Sequence, residues 1–369
     1  MVLDDADSAP ILAPMPQGKT YLLYLRESDL FGQEFDERSG TLRGKPVLVV
    51  SGVGRVGGRA IRAAVGVSPA GALAYQTGQE SETGQLTWFD RSGRPVDALP
   101  VDASGRNPQI SHDGSLVAVH KFGASGGIWV TDLARGSMSP ITFGRNDVSF
   151  VWSPSSKRLA FLRVGGKEAG VHIVDVTDPS KDQFFEGTIG DGPDSWSPDE
   201  KYLVLQLGSG MTLFALDGSQ KPIPVGARKG RSRQGKISPN GKFIAFTSNE
   251  SGRDEIYVQP MPPATLYRNL SINGGHSPRW SHDGKELFFV SRDAEMMAVD
   301  ITLDPVTSPG VPHRLFQLKK EVPVDLTASL YDVRPDGQQF LVFMRTQRGT
   351  EDAPITVVLN WWAELRQEQ

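Results

Sequence analysis

The sequence predicts an all-β fold built from repeated four-stranded antiparallel units, and three observations predict it. A turn signature recurs at near-constant spacing along the 369 residues. Short apolar runs flank each copy in the same order. Forty glycines and 26 prolines are spread along the chain rather than gathered in a linker, the punctuation of many short strands.

The signature is a Ser-Pro-Asp-Gly-like turn. It occurs as Ser68-Pro69-Ala70-Gly71, Ser111-His112-Asp113-Gly114, Ser153-Pro154-Ser155-Ser156 and Ser197-Pro198-Asp199-Glu200. It returns as Ser238-Pro239-Asn240-Gly241, Ser281-His282-Asp283-Gly284 and Arg334-Pro335-Asp336-Gly337, with steps of 43, 42, 44, 41, 43 and 53 residues. A degenerate copy, Met15-Pro16-Gln17-Gly18, lies 53 residues before the first. That makes eight units.

Each unit has one grammar. A short strand ends on an aromatic or branched residue (Ile110, Trp152, Trp196, Ile237, Trp280), and the turn follows. Then come a second strand (LVAVHKF, RLAFLRV, YLVLQLG, FIAFTSN, ELFFVSR) and a third (GIWVTDL, VHIVDV, TLFAL, EIYVQP, MMAVDI). A looser fourth, such as SPITFG or HRLFQL, closes most units. Central strands apolar at consecutive positions suit a sheet covered on both faces. Four antiparallel strands in roughly 40–45 residues is the arithmetic of a β-propeller blade, which cannot bury both faces without neighbours. Eight blades is the expected count; seven is the alternative, if the first unit only completes the last. Residues 1–369 are expected to form one domain, with 1–12 as an N-terminal closing segment paired to a closing strand at 355–361 and 362–369 as a tail. An open ring would leave edge strands exposed.

Composition narrows the function classes. Hydrophobic residues make up 38% of the chain and the net charge is −4, which suggests no polyanion-binding protein. Cysteine is absent, which removes disulfides, thiolate zinc sites and cysteine nucleophiles. MVLDDADSAP lacks the features of a signal peptide, and no apolar run approaches the ~20 residues that span a bilayer. The chain reads as soluble, without direct membrane insertion.

One motif invites a different reading. Gly52-x-Gly54-x-x-Gly57 follows the apolar run Val47–Val50, the spacing of a dinucleotide-binding turn. That unit needs a helix and an acidic residue roughly 20 residues on. Here the helix would carry Gly57, Gly58 and Gly66 and stop at Pro69, and no Asp or Glu lies between Glu37 and Glu80. The stretch reads as a blade-closing strand and its connecting loop.

Other constellations also favour structural readings. Of the six histidines none forms an HxH or HExxH pair, and His112 and His282 hold equivalent turn positions. The nearest approach to a nucleophile elbow, GVSPAG, places proline where an oxyanion-hole N–H is required. The b–c loops TSNESGRDEIY and GQESETGQLTW are acidic, and Asn249, Glu250, Arg253 and Asp254 could be calcium ligands, but hairpin turns account for them. The basic run ARKGRSRQGK, with Arg228, Lys229, Arg231, Arg233 and Lys236, is single and lacks stacking aromatics, so no nucleic-acid partner is expected. No metal, cofactor or catalytic residue is assigned.

The candidate site comes from aligning the innermost strands on the turn. Two residues before it stand Gly66, Gln109, Val151, Ser195, Lys236, Arg279 and Asp332; the next position is Val67, Ile110, Trp152, Trp196, Ile237, Trp280 and Val333. Strand alternation sends these sets to opposite sides, the apolar ring between blades and the polar ring toward a central channel. Five residues before the turn stand Arg106, Arg233 and His276. The candidate ligand-binding set is therefore Arg106, Gln109, Arg233, Lys236, His276, Arg279 and Asp332. An electropositive channel mouth built from Arg106, Arg233, Lys236 and Arg279 favours a small anionic ligand; the competing expectation is a hydrated channel without a specific ligand.

The units resemble the WD-like propeller repeat of the TolB family. Trp196-Ser197-Pro198-Asp199 and Phe243-Ile244-Ala245-Phe246 with Ile256-Tyr257-Val258 carry the match. The chain is more similar still to propellers C-terminal to bacterial receptor-type serine/threonine kinases, notably acidobacterial ones. YLLYLRESDLFGQEFD, GALAYQTG, QLTWFDRSG, TSNESGRDEIYVQPMP, PRWSHDGKELFFVS and APITVVLNW bear that resemblance. It implies a non-catalytic sensor or scaffold, placed outside the cytoplasm, with a kinase domain or its membrane segment, a peptide or a protein as partner. No kinase motif is present, and a fold of this kind hosts binding and catalysis alike. The alternative is a propeller hydrolase or lyase with its site at the channel mouth, for which Asp194, Asp332 and His276 would be the beginnings.

Overall fold

The computed structural model describes residues 10–15, 18–26, 29–56, 62–77, 84–99, 105–121, 126–143, 147–188, 192–227, 229–261, 267–302, 308–319, 322, 330–345 and 355–362. These are strands and turns with no α-helix. The fold is an all-β assembly of antiparallel blades. Eight sheets of three to five strands match the eight turn signatures, each turn joining two adjacent strands of one sheet. A small ribbon, Arg55–Val56 with Arg62–Ala63, accompanies them.

The turn chemistry explains the repetition. Ser197 Oγ accepts the Tyr202 N–H at 2.9 Å and donates to Asp199 at 2.6 Å. Ser111, Ser153, Ser238 and Ser281 accept the equivalent N–H of Leu116, Arg158, Phe243 and Glu286. The fourth turn residue adopts positive φ, which suits Gly241 (71°) and Gly284 (71°). Ser156 (61°) and Glu200 (57°) take the same strained conformation, and their side chains are used by the preceding sheet: Ser156 Oγ accepts the Asp113 N–H, and Glu200 accepts the Ser155 N–H and pairs with Arg158.

The chain divides into two compact units. Residues 84–121 and 125–345 form one; residues 1–83, 122–124 and 346–369 form the other. The larger unit holds six sheets. Four are sequential up-and-down meanders, named here by their turns: Ser111 (Gly105–Ile110 through Ser137–Pro140), Ser153 (Asp147–Trp152 through Asp178–Phe185), Ser197 (Gly192–Trp196 through Ile223–Val225) and Ser238 (Ser232–Ile237 through Arg268–Asn269). The Ser281 sheet runs from His276–Trp280 to Glu295–Thr302, whose outer side takes both Ser308–Pro309 and His313–Gln317. The sixth, the Arg334 sheet, is assembled from both ends of the unit: Tyr331–Val333 and Gln339–Arg345 pair with Gly84–Asp90 and Pro95–Ala98. Gly84 faces Arg345 in that pairing, so the unit's chain enters and leaves at one place.

The smaller unit holds the four-stranded Met15 sheet, Ile11–Pro14 to Thr41–Val50, and a three-stranded sheet around Ser68. Leu23, Leu25, Leu30, Leu73 and Trp361 form its core. Among the described residues Ile355–Leu359 pairs with Ala72–Gln76. The strand Ile11–Pro14 pairs with Thr20–Arg26, which a short turn brings back at little entropic cost. Residues 1–9 of the expected closing segment, and residues 363–369, lie outside the described part. One expectation is corrected here: GQESETGQLTW does not join two strands of one sheet, since Ala72–Gln76 lies in the Ser68 sheet and Gly84–Asp90 in the Arg334 sheet. After Val50 the Gly52–Gly57 motif leads into the small ribbon, and Gly57 is outside the described residues.

Candidate functional site

Within the larger unit the innermost strands are joined seam by seam, and the residues two before each turn do much of the joining. Gln109 Nε2 donates to the Phe150 carbonyl, and Trp152 Nε1 returns a bond of 3.0 Å to the Gln109 carbonyl. Ser195 Oγ accepts the Ile237 N–H at 3.0 Å, and Lys236 Nζ donates to the Asp194 carbonyl. Trp280 Nε1 reaches the Lys236 carbonyl at 2.9 Å. Arg279 Nε meets Asp332 Oδ1 at 3.1 Å, while Asp332 Oδ2 accepts the Ile110 N–H at 2.7 Å. Contacts between the Ser153 and Ser197 inner strands complete a closed cycle of six sheets. The neighbouring apolar positions, Ile110, Trp152, Trp196, Ile237 and Val333, are buried in the hydrophobic clusters.

A local irregularity aims these side chains. Register shifts interrupt the inner strands between Arg106 and Gln109, Val148 and Phe150, Pro193 and Ser195, Arg233 and Lys236, and His276 and Arg279. In four of the five a non-glycine residue four before the turn has positive φ: Asn107 (57°), Ser149 (45°), Gln234 (57°) and Ser277 (59°). Such a bulge adds one residue and so changes which side chains share a face. The residues five before the turn are thereby returned to the side of those two before it.

The seven expected site residues fall into separate groups. Lys236, Arg279 and Asp332 lie together, joined by Asp194 and the turn histidines. Burial pulls the Lys236 amine down to about 7, with the Arg279 guanidinium adding and Asp194 and Asp332 opposing. Partial burial lowers the His112 imidazole, opposed by Asp332 and reinforced by His282 and Lys236. Groups from five sheets thus feel one another's charge. Arg233 and His276 form a second group with Asp254, which takes Arg233 Nη2 at 2.6 Å. Burial and then Arg233 bring His276 down to about 4, with Asp254 opposing. Arg106 stands opposite His120, whose imidazole burial and Arg106 lower to about 4. Gln109 serves the seam described above.

Two of the four cations expected to make an electropositive mouth have carboxylate partners. Arg279 and Arg233 are each 7% exposed and ion-paired, because burying a guanidinium without a carboxylate is costly. The loop residues weighed as calcium ligands are engaged too: Asn249 accepts the Arg231 N–H, Glu250 the Tyr267 hydroxyl, and Asp254 binds Arg233. Among the described residues no three His, Asp or Glu side chains are grouped to hold a metal.

No protein-family model matches the sequence, and no curated protein matches it. Solved structures do match. A protein assigned as TolB from Agrobacterium tumefaciens superposes with a TM-score of 0.58 at 18% identity, over 72% of this chain and 99% of that one. The fold is that of a TolB-type propeller. TolB from Acinetobacter baumannii gives 0.46 at 13% identity, over 89% and 77% of the two chains. An oligogalacturonate lyase in complex with manganese gives 0.46 at 14%, over 72% and 98%. At these identities the likeness concerns the fold.

Sequence reasoning missed two participants in this TolB-type propeller, Gln234 and Ser277, and gave a third, Asp194, only to the alternative hydrolase or lyase reading. Asp194 accepts the Gly235 N–H through its carboxylate at 3.3 Å besides receiving Lys236 on its carbonyl. Gln234 and Ser277 bond each other twice, Nε2 to Oγ at 3.1 Å and N–H to Oε1 at 2.9 Å. The signal was present as small or polar residues four before the turn, where asparagine tolerates the left-handed region.

Proposed function

We propose that the chain is a non-catalytic recognition module that binds a small anionic ligand at the Lys236–Arg279–Asp332 cluster. The observation that carries this reading is convergence: side chains from the Ser111, Ser197, Ser238, Ser281 and Arg334 sheets interact there. A rigid cycle of sheets presenting a few convergent polar groups is a common form of ligand site. Lys236 supplies a cation that appears below about pH 7, joined by His112 as the pH falls further. The likeness of its repeats to kinase-linked propellers supports a setting beside a bacterial serine/threonine kinase and an extracytoplasmic placement.

The test is a thermal-shift titration with inorganic phosphate, citrate and galacturonate at pH 6 and pH 8. Binding to the native state raises the melting temperature by mass action. Stabilisation at pH 6 that weakens at pH 8, and that Lys236→Met reduces at least tenfold in apparent affinity, supports the reading. An anion response unchanged in Lys236→Met would sink it.

A second reading rests on the same lysine. An amine titrating near neutrality beside a guanidinium is suited to act as a general base, as a propeller hydrolase or lyase requires. Its support would be turnover of an anionic sugar with an alkaline rise centred near pH 7 that Lys236→Met abolishes.

A further inference from the structure

Two Asn-Gly pairs occur in the sequence, Asn240-Gly241 and Asn273-Gly274, and the fold holds them differently. In such a pair the glycine has no side chain to shield its nitrogen, which can attack the asparagine carboxamide and expel ammonia. Both asparagines are exposed. They differ in how the carboxamide is held and in what accepts the glycine proton.

Asn240 is tied down. It is the third residue of the Ser238 turn, and its Oδ1 accepts the Ser238 hydroxyl at 2.7 Å and the Lys242 N–H at 3.0 Å. The Gly241 N–H donates to the Ser238 carbonyl at 2.8 Å. Swinging the Asn240 carboxamide onto the Gly241 nitrogen would break both side-chain bonds. The carbonyl that faces that nitrogen is too weak a base to take its proton.

Asn273 lies in the connection between Arg268–Asn269 and His276–Trp280. Its side chain has no hydrogen-bond partner among the described residues. The Gly274 N–H donates to Glu255 Oε2 at 3.0 Å. Glu255 is 1% exposed and fixed in place: Oε2 also accepts the Ser271 hydroxyl, and Oε1 takes Arg253 Nε at 2.6 Å. The Gly275 N–H donates to the Asp254 carbonyl at 2.9 Å, which pins the backbone beyond Gly274. A carboxylate is thus held on the nitrogen that an unrestrained carboxamide can reach, the arrangement that intramolecular general-base catalysis needs.

We propose that Asn273 is a site of intramolecular deamidation with Glu255 as the base. The Gly274 nitrogen attacks Asn273 Cγ as its proton passes to Glu255. The new N–Cγ bond closes a succinimide, the Cγ–Nδ2 bond breaks, and the leaving nitrogen takes a proton through solvent and departs as ammonia. Water then opens the ring at either carbonyl, giving aspartate or isoaspartate. Isoaspartate routes the chain through Cγ, which adds a methylene to the connection between the Ser238 and Ser281 sheets, three residues before His276. The site is separate from the Lys236 cluster and does not depend on the reading of that cluster.

The test is incubation of the full chain at pH 8 and 37 °C, with each site quantified by peptide mass spectrometry and isoaspartate methylation. In the folded protein Asn273 is expected to react at least fivefold faster than Asn240. In 8 M urea, where both are flexible Asn-Gly pairs, the two rates are expected to agree within twofold. Glu255→Gln, which keeps shape and removes the base, is expected to slow Asn273 at least fivefold and leave Asn240 unchanged. If Glu255→Gln does not fold, the ratio of the two wild-type rates, folded against urea, carries the test. Asn273 reacting no faster than Asn240 in the folded protein, a rate ratio the same folded as in urea, or an Asn273 rate unmoved in a folded Glu255→Gln variant overturns the proposal.

Discussion

Asp332 meets Arg279 at 3.1 Å with one carboxylate oxygen and holds the Ile110 N–H at 2.7 Å with the other. One side chain thereby fastens three sheets, and it does so beside the sheet assembled from both ends of the larger unit. Neither partner is more than 15% exposed as a side chain. Removing one member of a buried pair costs about 3–5 kcal/mol, because the other is left uncompensated. Asp332→Ala is therefore expected to lower the melting temperature by roughly 10 °C, at about 2–4 °C per kcal/mol. Arg279→Ala should cost less, since Asp332 keeps its backbone donor. Calorimetry of both variants checks the order, and an Asp332→Ala protein within a degree or two of wild type would show that the seam does not depend on it.

Acid should loosen the protein before its carboxylates titrate. His120 and His276 both titrate near 4 in the folded chain against 6.5 in the unfolded one. Between those values the unfolded state binds protons that the folded state refuses, so stability is full above pH 6.5 and falls as the pH drops toward 4. Each contributes up to about 3 kcal/mol. Urea unfolding at pH 7.5 and 4.5 should show a smaller acid loss in His276→Asn than in wild type; equal losses would refute the assignment.

Lys236 has the same sign in a higher window. Its amine is lowered from 10.5 to about 7 on folding, so stability should rise as pH increases from about 7 toward 10.5. Lys236→Met removes that slope and should be more stable than wild type near pH 7. A wild-type stability that is flat or falling from pH 7 to 9.5 relative to the variant would contradict the burial of this charge.

The turn serines bear weight that their size conceals. Ser238 is fully buried and its hydroxyl accepts the Phe243 N–H at 3.0 Å. Ser238→Ala leaves that donor unpaired, a cost of about 1–3 kcal/mol. Ser219, whose backbone N–H donates to Asp217 in an exposed turn and is kept by alanine, should tolerate that substitution within about 0.5 kcal/mol. Denaturant midpoints measured side by side decide it.

The larger unit should fold without the smaller one, because Gly84 and Arg345 lie opposite each other in one pair of strands. A fragment of residues 84–345 is expected to unfold cooperatively as a soluble species. A fragment beginning at residue 105 lacks two strands of the Arg334 sheet, leaves Gln339–Arg345 as an open apolar edge, and should aggregate. Cooperative unfolding of the shorter fragment would show that the exchanged strands are dispensable.

The sequence by itself determined the repeating unit. Ser-Pro-Asp-Gly chemistry and its flanking strands are local: a short loop costs little to close, and each hairpin's hydrogen bonds lie within a dozen residues of the turn. The polar and apolar rings at the inner strands followed from alternation, and the burial of Trp152, Trp196 and Ile237 agrees with it. Tertiary structure decided the rest. Gly84–Asp90 and Ile355–Leu359 carry the same strand pattern as their neighbours, so nothing local says that the first crosses to the Arg334 sheet and the second to the Ser68 sheet. The bulges at Asn107, Ser149, Gln234 and Ser277 shifted which residues share a face. Whether Arg279 and Arg233 stand free or paired was settled by carboxylates on other strands, Asp332 and Asp254, at sequence separations of 53 and 21 residues. Charge in a sequence is a sum, but the field at a site depends on which groups the fold brings within a few ångströms, and on how much water it leaves between them.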